Sequence, residues 1–416
     1  MGYTEACAEV AELAYAQRSE RCGLRPFRVQ LPASAPLLFI SFGHLGVLPR
    51  LFPKFGFAGA PGEFGSPKSC HPSTNSMMKT SFSDKICLVT GASGFIGNHL
   101  TKRLVEEGAR VRVLVRKTSN TTFLDTLPVE KYVGDTSDIP SLQKALEGVE
   151  YLFHLAGVVA LKASDASELR RVNVLGVRNV LGIAQDTRVK RVVFTSSVAA
   201  IGGGLDQRPG DETSPWDPET PHTAYSLSKH DGEMEAMKYY REGLPLVVVN
   251  PSFVLGSPDD GPSLGGKFIL TYLKGKMKVY ISMGFNSVDV KDVAEGHLLA
   301  AMKGRLGERY ILASENRTMI ETFRLLEKVS GVKAPRIYLP YPLAYSAAAL
   351  LEGIGRFVLR KNFMIDRLQV RRSKYYSWFS HEKATRELGY HPRPLEETLS
   401  EAVQWFRENG YTKKPG

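Results

Sequence analysis

The run Thr90-Gly91-Ala92-Ser93-Gly94-Phe95-Ile96-Gly97 constrains this chain more than any other stretch, because the apolar Ile86-Cys87-Leu88-Val89 feeds directly into it. A strand that ends in a glycine-rich turn and continues as a helix makes a phosphate cradle. Gly91 suits the tight turn, Gly94 leaves room for a pyrophosphate against the backbone, and Gly97 allows close packing of helix on strand. The amphipathic stretch 99–107 supplies the helix, whose first N–H groups are free to meet an anion. Ser93, Phe95 and Ile96 complete the expected dinucleotide-binding turn.

The next strand decides which dinucleotide. Residues 111–115 alternate in polarity and end in Arg116-Lys117, with no Asp or Glu where an NAD-preferring fold carries an acid for the ribose hydroxyls. A guanidinium matches phosphate geometry through paired donors. Arg116 is therefore expected to stack on the adenine and, with Lys117, to neutralise a 2′-phosphate. NADP is the expected cofactor and NAD the second candidate.

At 416 residues the chain exceeds a usual single core, so a second lobe or an appendage is expected. Its net charge of +11 suits an anionic cofactor or a membrane surface, but no aromatic-interleaved basic signature or zinc spacing accompanies it, which argues against nucleic acid. The four cysteines, Cys7, Cys22, Cys70 and Cys87, form no CxxC pair or disulfide framework, so a reducing, cytoplasmic compartment is expected. No metal site is expected. No run is long and apolar enough for a membrane span. Residues 342–359 come nearest; Glu352 and Arg356 interrupt them at helical spacing, giving an amphipathic helix, with peripheral contact to lipid as its second interpretation.

Residues 1–80 differ from the rest, being rich in Pro, Gly and Ser between short apolar pieces. Glu5, Glu9, Glu12 and Glu20 argue against a transit peptide. Because Met77-Met78 precedes the first strand, this portion is expected to be a poorly ordered extension without catalytic consequence.

Beyond Arg116 short strands alternate with helices: strand 131–133, helix 139–146, strand 151–155, helix 169–184, strand 191–194. This is the rhythm of an α/β, Rossmann-type doubly wound parallel sheet, which binds ligands outside the carboxyl ends of its strands. Asp135, His154, Gly157 and Ser197 fall at such ends. His154 is expected to fill space rather than to catalyse. The chemistry is carried by Tyr225-Ser226-Leu227-Ser228-Lys229: positions four apart on a helix share a face, so a phenol and an ammonium converge on one ligand. Lys229 and a positive nicotinamide are expected to favour the Tyr225 phenolate, with Ser197 holding the substrate oxygen.

From about Lys85 onward the chain resembles the extended short-chain dehydrogenase/reductases. The resemblance rests on TGASGFIG (90–97), GD (134–135), HLAG (154–157), VNVLGVRN (172–179), TSS (195–197), YSLSK (225–229), NPSFVLG (250–256) and VDVKDVAEGH (288–297). It implies that Asp135 contacts the adenine, that Ala156 and Gly157 line the path to the nicotinamide ribose, that Pro251 belongs to the cofactor site, and that Ser197, Tyr225 and Lys229 are catalytic. Asn173 is carried over as a further catalytic residue.

Two branches compete. Nucleotide-sugar enzymes carry a Val-Tyr-Gly element after the serine and an arginine for the sugar diphosphate; here Ala200-Ile201-Gly202 and Gly284-Phe285-Asn286-Ser287 stand in those places. The segments 307–312 and 387–390 resemble the dihydroflavonol 4-reductase-like branch instead. The expected division is a cofactor domain from 84–254 with 286–312, and a smaller, mostly helical substrate lobe from 255–285 with 313–416, including helices 320–329 and 395–409. Gly202-Gly203-Gly204 is expected to form a loop near the substrate mouth. The resulting expectation is an NADP-dependent reductase of a ketone or aldehyde on a small, mostly apolar molecule, with a homodimer as the candidate assembly. An NDP-sugar epimerase or dehydratase with tightly held NAD and a non-catalytic NADP-binding regulator are the alternatives.

Overall fold

The computed structural model describes residues 82–159, 165–202, 208–218, 220–354 and 367–412. Contacts divide the chain into residues 1–74 and 75–416, and everything described lies in the second unit. The expectations for 1–80, for Cys7, Cys22 and Cys70, for Gly203-Gly204 and for 355–359 fall outside the described residues.

Strands β1–β12 are numbered along the chain. β1 (Ile86–Thr90), β2 (Arg110–Val115), β3 (Glu130–Val133), β4 (Tyr151–His154), β5 (Arg191–Thr195), β6 (Leu246–Pro251) and β10 (Arg309–Leu312) form one parallel sheet in the order β10-β6-β5-β4-β1-β2-β3. The order reverses between β1 and β4, which opens a crevice at their carboxyl ends. Runs such as Leu246-Val247-Val248-Val249 are buried on both faces, as a parallel sheet requires. Cys87 and Val89 face one way, with Leu100 and Leu104 of α1 (Phe95–Glu106) and Val293 and Leu298 of α7 (Val290–Lys303). Leu88 faces the other, with Leu142 of α2 (Ile139–Leu146), Val177 and Val180 of α4 (Gly176–Gln185) and Ala236 of α5 (Ala224–Arg241). Burial pushes the Cys87 thiol up to about 12, so it acts as a core side chain.

The expected helix over 169–184 is not continuous. α3 (Ala166–Arg170) passes into a π-helical turn, Arg171–Leu175, before α4 begins. Such turns accompany function, and this one carries Asn173.

The second lobe is built on a three-stranded sheet, β11 (Glu315–Thr318), β9 (Gly284–Asp289) and β7 (Phe253–Leu255). α6 (Leu264–Leu273), α8 (Met319–Ser330) and α12 (Leu395–Glu408) pack around Leu255, Tyr272, Phe323, Leu399 and Phe406. Beside it lie the paired strands β8 (Val279–Tyr280) and β12 (Ile337–Tyr338), then α9 (Tyr341–Ile354) and α10 (Arg367–Arg372). The lobe departs from the expected division in two places. β9 pairs with lobe strands although 286–312 were expected in the cofactor domain. Conversely α11 (Glu382–Leu388) returns to that domain, where Ala384, Leu388 and Tyr390 join the core around β1 and α7.

Candidate active site

Sterics fix the cradle first. Gly91 has φ +74°, and a Cβ there would lie 2.7 Å from the backbone nitrogen of Ala156, so only glycine fits both the turn and the β4 loop. A Cβ on Gly97 would stand 2.1 Å from the Gly91 carbonyl oxygen. α1 starts at Phe95 with no side-chain cap from Gly94 and no acid in its first turn. A glycine-lined helix start left uncapped fits a pyrophosphate, so the residues present suit a dinucleotide.

Around this turn opens a cavity of about 760 Å³. Of the residues singled out in the sequence, Gly91, Ser93, Gly94, Phe95, Ile96, Gly97, Arg116, Asp135, Ala156, Gly157, Ser197, Tyr225, Lys229 and Pro251 all line it. Lys117 does not; it is exposed beyond the wall to which Arg116 and Ser119 belong. Asp135 accepts from the backbone N–H and hydroxyl of Ser137 at 3.0 and 2.8 Å, and lies 3.5 Å from the Arg171 guanidinium. Burial pushes its carboxyl up, but those hydrogen bonds and Arg171 outweigh it and leave the group below its ordinary value.

The reacting end of the cavity is set by α5. Thr223 and Ser226 form a reciprocal capping box, which fixes the helix start and puts Tyr225 in the first turn and Lys229 one turn later. Ser197 follows β5; its carbonyl accepts from Asn250 Nδ2 at 3.0 Å, its hydroxyl accepts from the Ala199 N–H at 3.1 Å, and it shares the cavity wall with Tyr225. Lys229 Nζ donates to the Thr195 carbonyl at 2.8 Å. Burial lowers its ammonium to about 8, with buried Glu233 opposing the shift. Burial raises the Tyr225 phenol above its ordinary value, and Ser197 works against that rise.

Asn173 has another place. Buried off the cavity wall, it accepts from the Val158 N–H at 2.8 Å and donates to the Val158 carbonyl at 3.0 Å and to Ser228 Oγ at 2.9 Å. It joins the β4 loop to α5 and is a positioning residue rather than a catalytic one. His154 is buried, 2.7 Å from Thr90 Oγ1 and kept neutral by burial, which lowers it to about 3.

The far wall was not legible in the sequence. Phe253, Phe268, Met283, Phe285, Met319 and Tyr376 converge there from β7, α6, β9, the α8 start and the segment after α10. Arg372 also reaches the cavity; its guanidinium donates to the Pro221 carbonyl at 3.1 Å and approaches Ser226 Oγ at 3.4 Å. Behind the serine, Asn250 also donates to Glu233 at 2.8 Å, and Arg309 pairs with that carboxylate at 3.3 Å.

Comparison with known proteins gives the family. The chain is 37% identical over 333 residues to a candidate dihydroflavonol 4-reductase of Synechocystis, covering 78% of this chain and 95% of that protein. It is 35% identical over 327 residues to the sterol demethylase protein B of Methylococcus capsulatus, covering 78% and 98%. The crystal structure of gox2253 superposes with a TM-score of 0.72 at 39% identity, covering 79% of this chain and all of that one. A family model, the NAD dependent epimerase/dehydratase family, matches residues 87–313. The chain is an enzyme-type member of the extended NAD(P)-dependent short-chain dehydrogenase/reductases and belongs to the NAD-dependent epimerase/dehydratase family.

Proposed function

We propose that this protein is an NADP-dependent reductase of a ketone or aldehyde carried on a small, mostly apolar molecule. The observation that carries the proposal is one cavity in which the glycine turn, the Ser197–Tyr225 pair and an aromatic wall of Phe253, Phe268 and Phe285 meet. NADPH, when bound, supplies the hydride. Ser197 donates a hydrogen bond to the carbonyl oxygen and orients it. As negative charge develops on that oxygen, Tyr225 passes it the phenolic proton and the alcohol forms. Burial favours the protonated phenol beforehand, which suits the reductive direction. The Lys229 ammonium, held beside the Thr195 carbonyl, is within the same cavity as the ribose path at Gly157, where it would hold the ribose hydroxyls. The two named relatives, a candidate reductase and a sterol demethylase protein, support an apolar carbonyl substrate.

Arg116 on the cavity wall supports NADP over NAD. Arg116→Asp is expected to invert the ratio of kcat/KM for NADPH and NADH; an unchanged ratio removes Arg116 from the site. One observation favours a second reading: the Arg372 guanidinium on the cavity wall could hold the diphosphate of a nucleotide sugar, as an epimerase or dehydratase would need. The dinucleotide released from purified protein by denaturation separates the two. Exchangeable NADP(H) supports the reductase, and NAD+ retained through purification supports the epimerase.

A further inference from the structure

α9 is apolar on both sides. Ala344 and Ala348 are buried against Val370, while Leu343 and Leu350, seven residues apart and so on one outward stripe, are 59% and 66% exposed. Beside them, the short pair β8–β12 exposes Val279, Ile337 and Tyr338. Ile281, which follows β8, and Leu339 and Tyr341, which follow β12, pack against the same Ala344, Ala348 and Val370 cluster, which joins the strand pair to the helix. A helix that is apolar all round needs an apolar neighbour outside as well as inside.

The charge around this face has one sign. No Asp or Glu occurs between Asp260 and Asp289, or between Glu327 and Glu352, the two segments that build it. Within them Lys274, Lys276, Lys278, Lys333 and Arg336 are exposed. Glu352, the first acid reached, is paired with Arg367 at 2.7 Å.

We infer that this face docks on an anionic phospholipid bilayer, with Leu343 and Leu350 entering the headgroup boundary and the five cations meeting lipid phosphates. Apolar protrusions ringed by Lys and Arg bind such surfaces, the cations adding attraction to the anionic headgroups. A second copy of the chain suits the face less well, since a twofold contact would bring like cations together. The docking goes beyond the reductase reading and does not depend on it. The same stretch of chain runs from Ile281 in this face to Met283 on the cavity wall, so the two are neighbours along the backbone.

Vesicle flotation of the full chain tests this, using phosphatidylcholine alone and phosphatidylcholine mixed with phosphatidylglycerol. Binding is expected only to the mixed vesicles and is expected to fall with added salt. Leu343→Ser with Leu350→Ser, and separately Lys276→Glu with Lys278→Glu, should each weaken it at least tenfold. Both double variants should keep wild-type melting temperature and cofactor affinity, because none of the four side chains lines the cavity. Three results overturn the inference: no binding to mixed vesicles, binding that neither double variant weakens, or a wild-type dimer in sedimentation that Leu343→Ser with Leu350→Ser dissociates.

Discussion

The two walls of the cavity are made in different ways. The cofactor wall is backbone: at Gly91 and Gly97 an added methyl group would strike main-chain atoms of the β4 loop and of the turn itself. The substrate wall is side chain, with Phe268 meeting Phe253, Phe285 and Phe323 at ring separations of 6.1, 6.3 and 5.9 Å. A backbone wall has no freedom to accommodate change, whereas packed rings can be exchanged for other apolar groups of similar volume. The first wall therefore serves one ligand, and the second can be retuned.

Tyr225→Phe sharpens the contrast most, since it removes the transferable proton and leaves both walls intact. Turnover should fall about 10²–10⁴-fold, with NADPH affinity nearly unchanged in a fluorescence titration. A variant retaining more than about a tenth of the rate would exclude Tyr225 as the acid.

Gly97→Ala attacks the backbone wall. Overpacking typically costs about 1–3 kcal/mol, and here the clash is with a carbonyl that cannot rotate away. NADPH affinity should drop by about tenfold or more, and calorimetry should show a lower melting temperature. Wild-type affinity would show that the turn relaxes and would break the comparison.

Asn173→Ala tests the clamp between the walls. It leaves the Val158 N–H and carbonyl and Ser228 Oγ short of partners, at about 1–3 kcal/mol for an unsatisfied buried group. The melting temperature should fall, and kcat should fall less than in Tyr225→Phe because Asn173 touches no reacting atom. An equal loss of kcat at unchanged stability would restore Asn173 to the chemistry.

Phe268→Leu should do least. KM for the carbonyl substrate should shift a few-fold while cofactor affinity and melting temperature stay close to wild type. A large loss of NADPH affinity would mean that the two walls are one mechanical unit.

The same contrast explains what could be read in the sequence. The cradle was legible because Gly91, Gly94 and Gly97 are placed by local sterics, and a strand before and a helix after are visible as periodicity. Tyr225 and Lys229 were legible because four-residue spacing on a helix is a local rule. The wall of Phe253, Phe268, Phe285 and Tyr376 was not, since those residues lie far apart along the chain and meet only through tertiary packing. Asn173 was named from the family resemblance, but its π-helical turn was not foreseen, since a 3.6-residue pattern cannot announce a turn that breaks it. The upward push on the Tyr225 phenol was not legible because it comes from burial, which sequence does not reveal.

Because α11 brings Ala384, Leu388 and Tyr390 back onto the nucleotide-binding sheet, that sheet keeps an uncovered apolar strip until synthesis has passed residue 390, long after the last sheet strand, β10, has been made. Domains generally fold in order during synthesis, and an exposed strip of this kind invites aggregation or chaperone capture. A nascent chain that has reached residue 383 therefore has every residue of the cradle and of the Ser197, Tyr225 and Lys229 group, yet still lacks Ala384, Leu388 and Tyr390 from the core that supports them.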